Sequence, residues 1–428
     1  MSAPPILTEA VPRDLPRFLA DTHHRHHGRP FALSGLSADD PPTAFCIGPR
    51  AVRELFTQEP ASLAIHNTEG VRGLFRRSVF TLRGREHTAT RTFLAGGLGR
   101  EAITAYLPAV AATARHHVTE WATQPCVQLY QVARTFTMDV CVSAILGLRT
   151  GDPAALLIPG LFDRFVAGTE LPAEAPSANP LYADALHAAV ELRELLRSCV
   201  VRSRTAESPS VVSMLAYSGR APAGDVVDHL LALLIAARET TASLLTWLLI
   251  ECALDDQLTT AVGEDARALL ADPAGAVHRG AVPTLRAVLA ECLRLHTPNT
   301  TATRIATCEV PVAGYTIPAG WHVAYSAPAT GLLSELWGGD PEAFAPHRFT
   351  GPQGPRRTAA LLAFGRGAHS CAGRGFAEAI TLLAAAAVLA DHRIDLLTSQ
   401  RPTVARYQPV RTPTGPVHAR IHRQVTRA

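Results

Sequence analysis

The sequence predicts a mainly α-helical protein with small β-sheets towards both ends of the chain. Apolar residues at helical spacing dominate residues 84–295. The longest such stretch, Asp225 to Leu254, has an almost entirely apolar centre. Short apolar runs bounded by turn-forming residues lie before this region, and further strand-like runs follow it. With 47% hydrophobic and 18% charged residues among 428, the chain has ample material for a large core.

Composition narrows the functional class. No Ser/Gly-rich spacer, long charge run or internal repeat divides the chain, so a single domain over residues 1–428 is predicted. The net charge of +3 is too small to favour nucleic acid. Eight scattered cysteines without a C-x-x-C pair indicate a reducing compartment. Without a signal-like start or an uninterrupted membrane span, we predict a cytoplasmic protein with no membrane anchor.

The N-terminal part combines a polar surface with short strands. Four histidines within residues 16–27 lack further ligands at defined spacing, which indicates a solvated surface and not a metal site. The apolar runs Pro30 to Leu33 and Ala44 to Ile47 are predicted strands because Gly, Pro and Asp bound them. Arg50 to Phe56 is a predicted short helix.

Helices dominate the middle of the chain, with one interruption. Five prolines within Asp152 to Pro180 predict short helices and loops there. Asp225 to Leu254 is predicted to cross the core, because a helix that is apolar all round is buried. The other predicted helices are Arg85 to Phe93, Glu101 to Thr123, Val127 to Leu146, Tyr182 to Arg204, Leu258 to Leu270 and Thr284 to Leu295.

The character of the chain changes after residue 300. Thr303 to Ala324 is predicted to form strands with turns at Gly314 and at residues 318–320. A Gly-rich loop and an Ala-rich helix, Phe376 to Ala390, follow. The last thirty residues, rich in Pro, Thr and Val, are predicted to form a small β region.

The Gly-rich loop carries the most specific chemical signal. Residues Phe364 to Gly373 have the sequence F-G-R-G-A-H-S-C-A-G, and the predicted helix follows at once. Backbone N–H groups and the positive end of a helix favour a thiolate at Cys371, which would be a nucleophile or a metal ligand. A buried structural cysteine beside a flexible turn is the alternative, but it does not explain the Phe, the three Gly, the His and the Cys together.

This loop resembles the cysteine-ligand loop of the cytochrome P450 monooxygenases, F-G-x-G-x-H-x-C-x-G, at every specified position. The resemblance implies a P450 fold, in which a long central helix lies over a haem and the cysteine loop lies on the other side. It implies haem b as cofactor, Cys371 as the iron ligand, and Phe364, His369 and Gly373 as cofactor-binding residues.

Four further segments resemble motifs of the same family. Glu291 and Arg294 share one helix face and can pair, and Arg348 lies in a P-x-R-F-like segment. The resemblance implies a buried structural charge network of these three residues before the cysteine loop. His87 and Arg91, spaced i, i+4, and Arg304 match family positions that hold the haem propionates, as His369 does.

The centre of the longest predicted helix reads A-A-R-E-T-T over residues 236–241. A Glu-Thr pair is costly inside an apolar helix. One interpretation is structural: Thr240 bonds back to the i−4 carbonyl and Glu239 pairs with an arginine. The other rests on the family motif A-G-x-[DE]-T-T, which implies that Glu239 and Thr240 deliver protons during oxygen activation. Ala237 stands where the family usually has glycine.

The resemblance implies an O2-dependent monooxygenase that hydroxylates or epoxidises a medium-sized hydrophobic molecule, with a lean to terpenoid or polyketide natural-product biosynthesis. Because the chain has no flavin or iron–sulfur motif, separate ferredoxin and ferredoxin reductase proteins are expected to supply electrons. Arg366 and Arg374 flank Cys371 and favour an acidic ferredoxin. We expect a monomer.

Three alternatives stay open at this point. A peroxide-driven haem-thiolate peroxygenase usually lacks the acid-alcohol pair that Glu239 and Thr240 provide. A non-oxygenating haem-binding protein, a sensor or a carrier, is disfavoured by the same pair. A cysteine hydrolase would need His and Asp partners for Cys371, and no such arrangement accompanies it.

Overall fold

The computed structural model describes residues 2–9, 12, 14–35, 40–65, 67–149, 151–169, 179–204, 209–218, 221, 223–278, 280–398, 400–404 and 410–424. The helices are α1 (Leu15–Arg25), α2 (Pro49–Ser62), α3 (Glu69–Phe75), α4 (Gly84–Leu98), α5 (Arg100–Thr123), α6 (Leu129–Val140), α7 (Pro153–Thr169), α8 (Pro180–Ser203), α9 (Val211–Tyr217), α10 (Val226–Ala253), α11 (Asp256–Ala271), α12 (Pro283–Leu295), α13 (Ala327–Gly331), α14 (Ser334–Trp337), α15 (Gly354–Ala360) and α16 (Arg374–Leu389). The strands are β1 (Ile6–Leu7), β2 (Phe31–Leu33), β3 (Thr43–Phe45), β4 (Leu63–Ala64), β5 (Val127–Gln128), β6 (Thr301–Ala306), β7 (Val310–Val312), β8 (Tyr315–Ile317), β9 (His322–Ser326), β10 (His392–Leu396) and β11 (His418–Arg423).

The predicted fold class is confirmed, because helices dominate and the sheets are small. Two compact units emerge from the contacts within the chain. The first unit comprises Met1–His66 and Ala290–Cys371, and the second comprises Asn67–Leu289 and Ala372–Ala428. Each unit thus draws on two separate chain segments.

The first unit is built around a six-stranded sheet with the strand order β1-β2-β3-β9-β6-β4. Strand β9 lies at the centre, parallel to β3 and antiparallel to β6. Strand β4 pairs antiparallel with β6, so that Leu63 lies opposite Ala306 and Ala64 opposite Ile305. Because β4 follows directly after α2, this pairing brings the end of α2 beside β6.

The second unit has α10 in its core. Asp225 caps the helix by accepting the Val227 N–H at 3.0 Å, and buried side chains then follow along nearly its whole length. The helix is long and apolar enough to cross a membrane, but 78% of its most apolar window is buried inside the protein. Core helices of soluble proteins can be equally long and apolar, so α10 is only weak evidence of a membrane span.

Two predicted elements differ from the structure. The predicted helix Val127 to Leu146 begins with a strand, because Val127 and Gln128 pair with β11, and it ends in a π-helical segment, Cys141–Ile145. Prolines do not divide residues 153–169, where α7 is continuous around Pro159. Buried Phe162 and Phe165 in α7 offset the backbone cost of the proline, which is about 3 kcal/mol. The prolines at 172 and 176 lie outside the described residues.

Candidate functional site

The cysteine loop of the first unit is closed by backbone hydrogen bonds. The Cys371 N–H donates to the Phe364 carbonyl at 2.7 Å, and the Ser370 N–H donates to Gly367 at 3.2 Å. Gly365 and Gly367 have φ values of 68° and 75°, a region that favours glycine, which explains two of the three glycines. These bonds therefore fix the position of Cys371 relative to Phe364 at the start of the loop. Cys371 is exposed.

Accessibility distinguishes Cys371 from most other cysteines. None of the eight cysteines forms a disulfide, and only Cys371 and Cys308 are exposed. Burial raises the pKa of Cys46 and of Cys141 to about 12, so these thiols stay protonated at neutral pH. Cys371 is thus an exposed thiol, accessible to a ligand, in a loop that backbone hydrogen bonds hold together.

Arg304, on β6, lies buried beside α2. Its Nε donates to Oε1 of Glu59 at 2.7 Å, and its Nη1 donates to the Thr303 carbonyl at 3.1 Å. The guanidinium lies over the Phe56 ring, 5.6 Å from the ring centroid. A guanidinium has five N–H donors, so these contacts leave donors on Arg304 for a further anion.

A buried charge network lies in the same unit. Arg294 forms a bidentate pair with Glu291, with both N–O distances at 2.7 Å, and both side chains are 0% exposed. Arg348 approaches the same carboxylate with its Nε at 3.3 Å, and the Ala345 N–H donates to it at 2.7 Å. The charge network implied by the sequence is therefore present.

The two arginines of this network also bind backbone carbonyls. Arg294 donates from Nη1 to Gly331 and Pro341, at 2.5 and 2.6 Å. Arg348 donates to the carbonyls of Trp337 and Asp340. The guanidinium groups thus hold the segment from Gly331 to Ala343, which precedes the cysteine loop, and this supports a structural role.

The other predicted cofactor residues lie on different elements. His87 is buried on α4 in the second unit, and Arg91 lies one turn later and is half-buried. Phe364 and His369 are half-buried members of the cysteine loop in the first unit. Gly373 precedes α16 with a φ of −88°, and a Cβ built there would meet no described atom within 4 Å. At Gly373 the conformation therefore does not require glycine.

Glu239 on α10 is held in an ion-pair network of the second unit. Tyr130 donates its hydroxyl to Oε2 at 2.8 Å, and Arg134 donates its Nε to both carboxylate oxygens at 3.1 and 3.2 Å. Arg238 adds an Nη1 contact at 3.3 Å. The side chain of Glu239 is 5% exposed, so its charge depends on these partners.

Asp163 of α7 closes this network from the other side. It accepts from Nη2 of Arg134 at 3.1 Å and from Nη1 of Arg238 at 2.5 Å. Burial raises the pKa of Tyr130, and the Glu239 charge raises it further. Burial lowers the pKa of Arg134, but the charge and hydrogen bond of Glu239 together with the charge of Asp163 outweigh this effect, so the pKa lies above its ordinary value.

Thr240 lies on a more accessible part of the same helix. Its hydroxyl donates to the Ala236 carbonyl at 2.6 Å, the i−4 bond of the structural interpretation. Ala236 is exposed and Ala237 and Thr240 are half-buried, although most of α10 is buried. The small side chains and the hydroxyl thus share an open patch in the middle of a core helix.

Comparison with known proteins agrees with this geometry. Residues 216–417 match the family model for cytochrome P450. A Mycobacterium tuberculosis cytochrome P450 135A1 is 27% identical over 83% of this chain and 79% of its own length. The cyclooctat-9-en-7-ol 5-monooxygenase of Streptomyces melanosporofaciens is 26% identical over 76% of this chain and 74% of its own length. The chain belongs to the cytochrome P450 family.

A solved structure shows the same fold as this P450. The retinoic acid bound cyanobacterial CYP120A1 superposes with a TM-score of 0.81 and covers 99% of this chain and 100% of its own, at 22% identity. As a member of this family the chain is a monooxygenase that works with O2, a hydrophobic substrate and a source of electrons.

The residues of this P450 fit haem b, the cofactor of the family. Cys371 supplies an exposed thiol whose thiolate is a suitable iron ligand, and Arg304 supplies buried donors suited to a carboxylate. When bound, a haem with a thiolate ligand supplies the reductive activation of O2. The protein holds the loop of Cys371 in place and presents Thr240 on an accessible patch of α10.

Several partners of this P450's site residues are absent from the sequence predictions. Four such partners lie far along the chain from the residues they contact: Glu59, Tyr130, Arg134 and Asp163. The sequence holds only one hint of them, since a glutamate inside an apolar helix requires a cation nearby. That requirement does not say which arginine supplies it.

Proposed function

We propose that this P450 hydroxylates or epoxidises a medium-sized hydrophobic small molecule of terpenoid or polyketide type in natural-product biosynthesis. The Cys371 loop supports the chemistry, since it matches the family's ligand loop and presents an exposed thiol. The names of two similar proteins support the substrate class, because one oxidises cyclooctat-9-en-7-ol and the other has retinoic acid bound.

Substrate binding to a P450 is tested by optical titration of the ferric protein. We expect terpenoids of intermediate size to convert the low-spin to the high-spin spectrum, with saturation, and to yield one oxygen more in the product. A panel in which only polyketides or peptides gave the shift would remove the terpenoid assignment. A panel without any shift or product would contradict the substrate class as a whole.

The cofactor-binding roles are part of the same proposal. The haem propionates would be bound by His87, Arg91, Arg304 and His369. The haem face near the Cys371 thiolate would be contacted by Phe364 and Gly373. The buried Arg304 supports these roles, since its contacts with Glu59 and Thr303 leave N–H donors of the guanidinium for a propionate. We also propose that residues 1–428 form one P450 domain and that the protein is a cytoplasmic monomer.

We propose that Thr240 and Glu239 carry protons to the oxygen site. The accessible patch around Ala236 and Thr240 supports the role of the hydroxyl. Glu239 is an acid next to it in the chain, and its charge is balanced by Arg134 and Arg238. Proton delivery by Glu239 therefore requires that its carboxylate leaves at least one of these partners.

Thr240→Val is expected to uncouple electron consumption from product formation. The valine keeps the shape of the side chain but removes the proton donor, and general acid groups contribute about 10²- to 10⁴-fold to their steps. We expect product per electron pair to fall at least severalfold while hydrogen peroxide rises. Measuring both products in one assay checks this.

Thr246→Val is the matched control for this prediction. Its hydroxyl makes the same i−4 bond, to the Ala242 carbonyl at 2.7 Å, but the residue is fully buried on the same helix. Coupling should be unchanged in this variant. Equal coupling in the Thr240 variant and in the wild type would show that the hydroxyl has only a structural role.

Electrons are proposed to come from a separate acidic ferredoxin and its reductase. Arg366 and Arg374 flank Cys371 in the sequence, and Arg374 also pairs with Glu378 at 2.8 Å. Arg366→Gln should raise the KM for ferredoxin severalfold, and turnover of the wild type should fall as salt screens the charges. Arg50→Gln, at a highly exposed site on α2, is the control. Turnover that does not depend on salt would contradict this docking mode.

A further inference from the structure

Glu59 is a buried carboxylate with two partners of different origin. Its side chain is 2% exposed. Oε1 accepts from Nε of Arg304 at 2.7 Å, and Oε2 accepts from the backbone N–H of Ala368 at 2.8 Å. Because Ala368 lies three residues before Cys371, one carboxylate contacts both the proposed propionate arginine and the cysteine loop.

The fold explains why Glu59 reaches both partners. Strand β4 begins four residues after Glu59 and pairs with the end of β6, the strand that carries Arg304. Phe56 lies one turn before Glu59 on α2 and therefore faces the same side. Its ring lies under the Arg304 guanidinium while Glu59 binds the Nε. Helix α2 thus contacts Arg304 through a ring and a carboxylate.

The cysteine loop comes unusually close to this carboxylate. A Cβ on Gly367 would clash with Oε2 of Glu59 and would lie 2.7 Å from the Phe56 ring. Gly367 also has a φ of 75°, so both the conformation and the space require glycine there. The family motif specifies glycine at position 367 without giving a reason. The close approach of Glu59 gives a physical reason for it.

A buried carboxylate is stable only if its partners stay in place, because each uncompensated charge is strongly disfavoured in the interior. The Glu59 carboxylate therefore favours one orientation of the Arg304 guanidinium and keeps the Ala368 N–H within hydrogen-bond distance. The described contacts of Arg304 use Nε and Nη1, which leaves donors for a carboxylate of the cofactor.

We propose that Glu59 is a positioning residue for the haem-thiolate centre. It orients the Arg304 guanidinium towards a haem propionate and holds the loop that carries the Cys371 thiolate. The inference rests on the proposed propionate role of Arg304. Glu59 acts through these two groups and does not bind the haem itself.

The test is Glu59→Gln, which keeps the size of the side chain and removes its charge. Transfer of haem to a scavenger protein should be about tenfold faster, the lower end of the range for loss of an outer partner of a metal ligand. A larger share of the reduced carbon monoxide complex should lack the thiolate-type Soret band. The reduction potential should become more positive, since removal of a negative charge favours the reduced iron.

Glu54→Gln is a closely matched control. Glu54 lies on the same helix and accepts one arginine Nε, from Arg50 at 3.1 Å, and one backbone N–H, from Ala313 at 2.8 Å. Haem transfer, spectrum and potential should all stay as in the wild type. If Glu59→Gln does not fold, Glu59→Asp keeps the charge and shortens the reach, and should speed haem transfer with little change in potential.

The outcomes separate this inference from the proposal on which it rests. Wild-type haem transfer, spectrum and potential in Glu59→Gln would overturn the inference. The propionate role of Arg304 would then be tested by Arg304→Gln alone. Haem transfer unchanged in Arg304→Gln would overturn the propionate role of Arg304 and the half of the inference that depends on it. If the Glu59 variants lose stability without any shift in potential or spectrum, Glu59 is only a structural residue.

Discussion

Cys371→Ser is expected to abolish monooxygenase turnover and the thiolate-type Soret band of the reduced carbon monoxide complex. A serine hydroxyl is a harder and far less acidic ligand than a thiol, so it does not replace the thiolate on iron. The change replaces the sulfur of an exposed side chain with oxygen and leaves the N–H bond of residue 371 to the Phe364 carbonyl intact. The fold should therefore persist, as circular dichroism would show.

Cys308→Ser is the control, because Cys308 is the other exposed cysteine. Its spectrum and turnover should match the wild type. A thiolate-type band that survives in the Cys371 variant would refute the assignment of Cys371 as ligand. A wild-type protein that binds no haem would refute the role of the whole loop.

Arg294→Ala should prevent the accumulation of folded holoprotein. The substitution removes the bidentate partner of Glu291, whose side chain is 0% exposed, and it frees the carbonyls of Gly331 and Pro341. Loss of one partner of a buried pair costs about 3–5 kcal/mol. That is a large part of a typical stability of about 5–15 kcal/mol. Denaturant unfolding, or the yield of soluble haem protein, measures the loss.

Two comparisons make this prediction specific. Arg50→Ala breaks an exposed pair with Glu54 and should cost less than about 1 kcal/mol. Arg294→Lys keeps the charge but loses the planar fork, so it should lie between the alanine variant and the wild type. An Arg294 variant as stable as the Arg50 variant would show that the charge network does not hold the segment before the cysteine loop.

The sequence predicted the parts of this P450 that depend on local spacing. A run of ten residues specified the cysteine loop, and the E-x-x-R spacing placed Glu291 and Arg294 on one helix face, where they pair. Apolar periodicity located α5, α8 and α10 to within a few residues. These features depend on neighbours within one or two turns, which a single sequence displays directly.

Other features were decided by contacts between distant residues. Val127 and Gln128 form a strand only because β11, almost three hundred residues later, pairs with them. Helix α7 stays continuous around Pro159 because its aromatic residues are buried. In both cases packing outweighed the local preference on which the prediction relied.

The sequence by itself determined the family and the cofactor, because the ten-residue cysteine loop and the other family motifs are local patterns that a single sequence displays directly. Only the tertiary structure decided which groups balance the buried charges. Glu239 meets Arg134 across 105 positions, and Glu59 meets Arg304 across 245. The physical reason is that a buried charge demands a partner of opposite sign but accepts it from any part of the chain that the fold brings near.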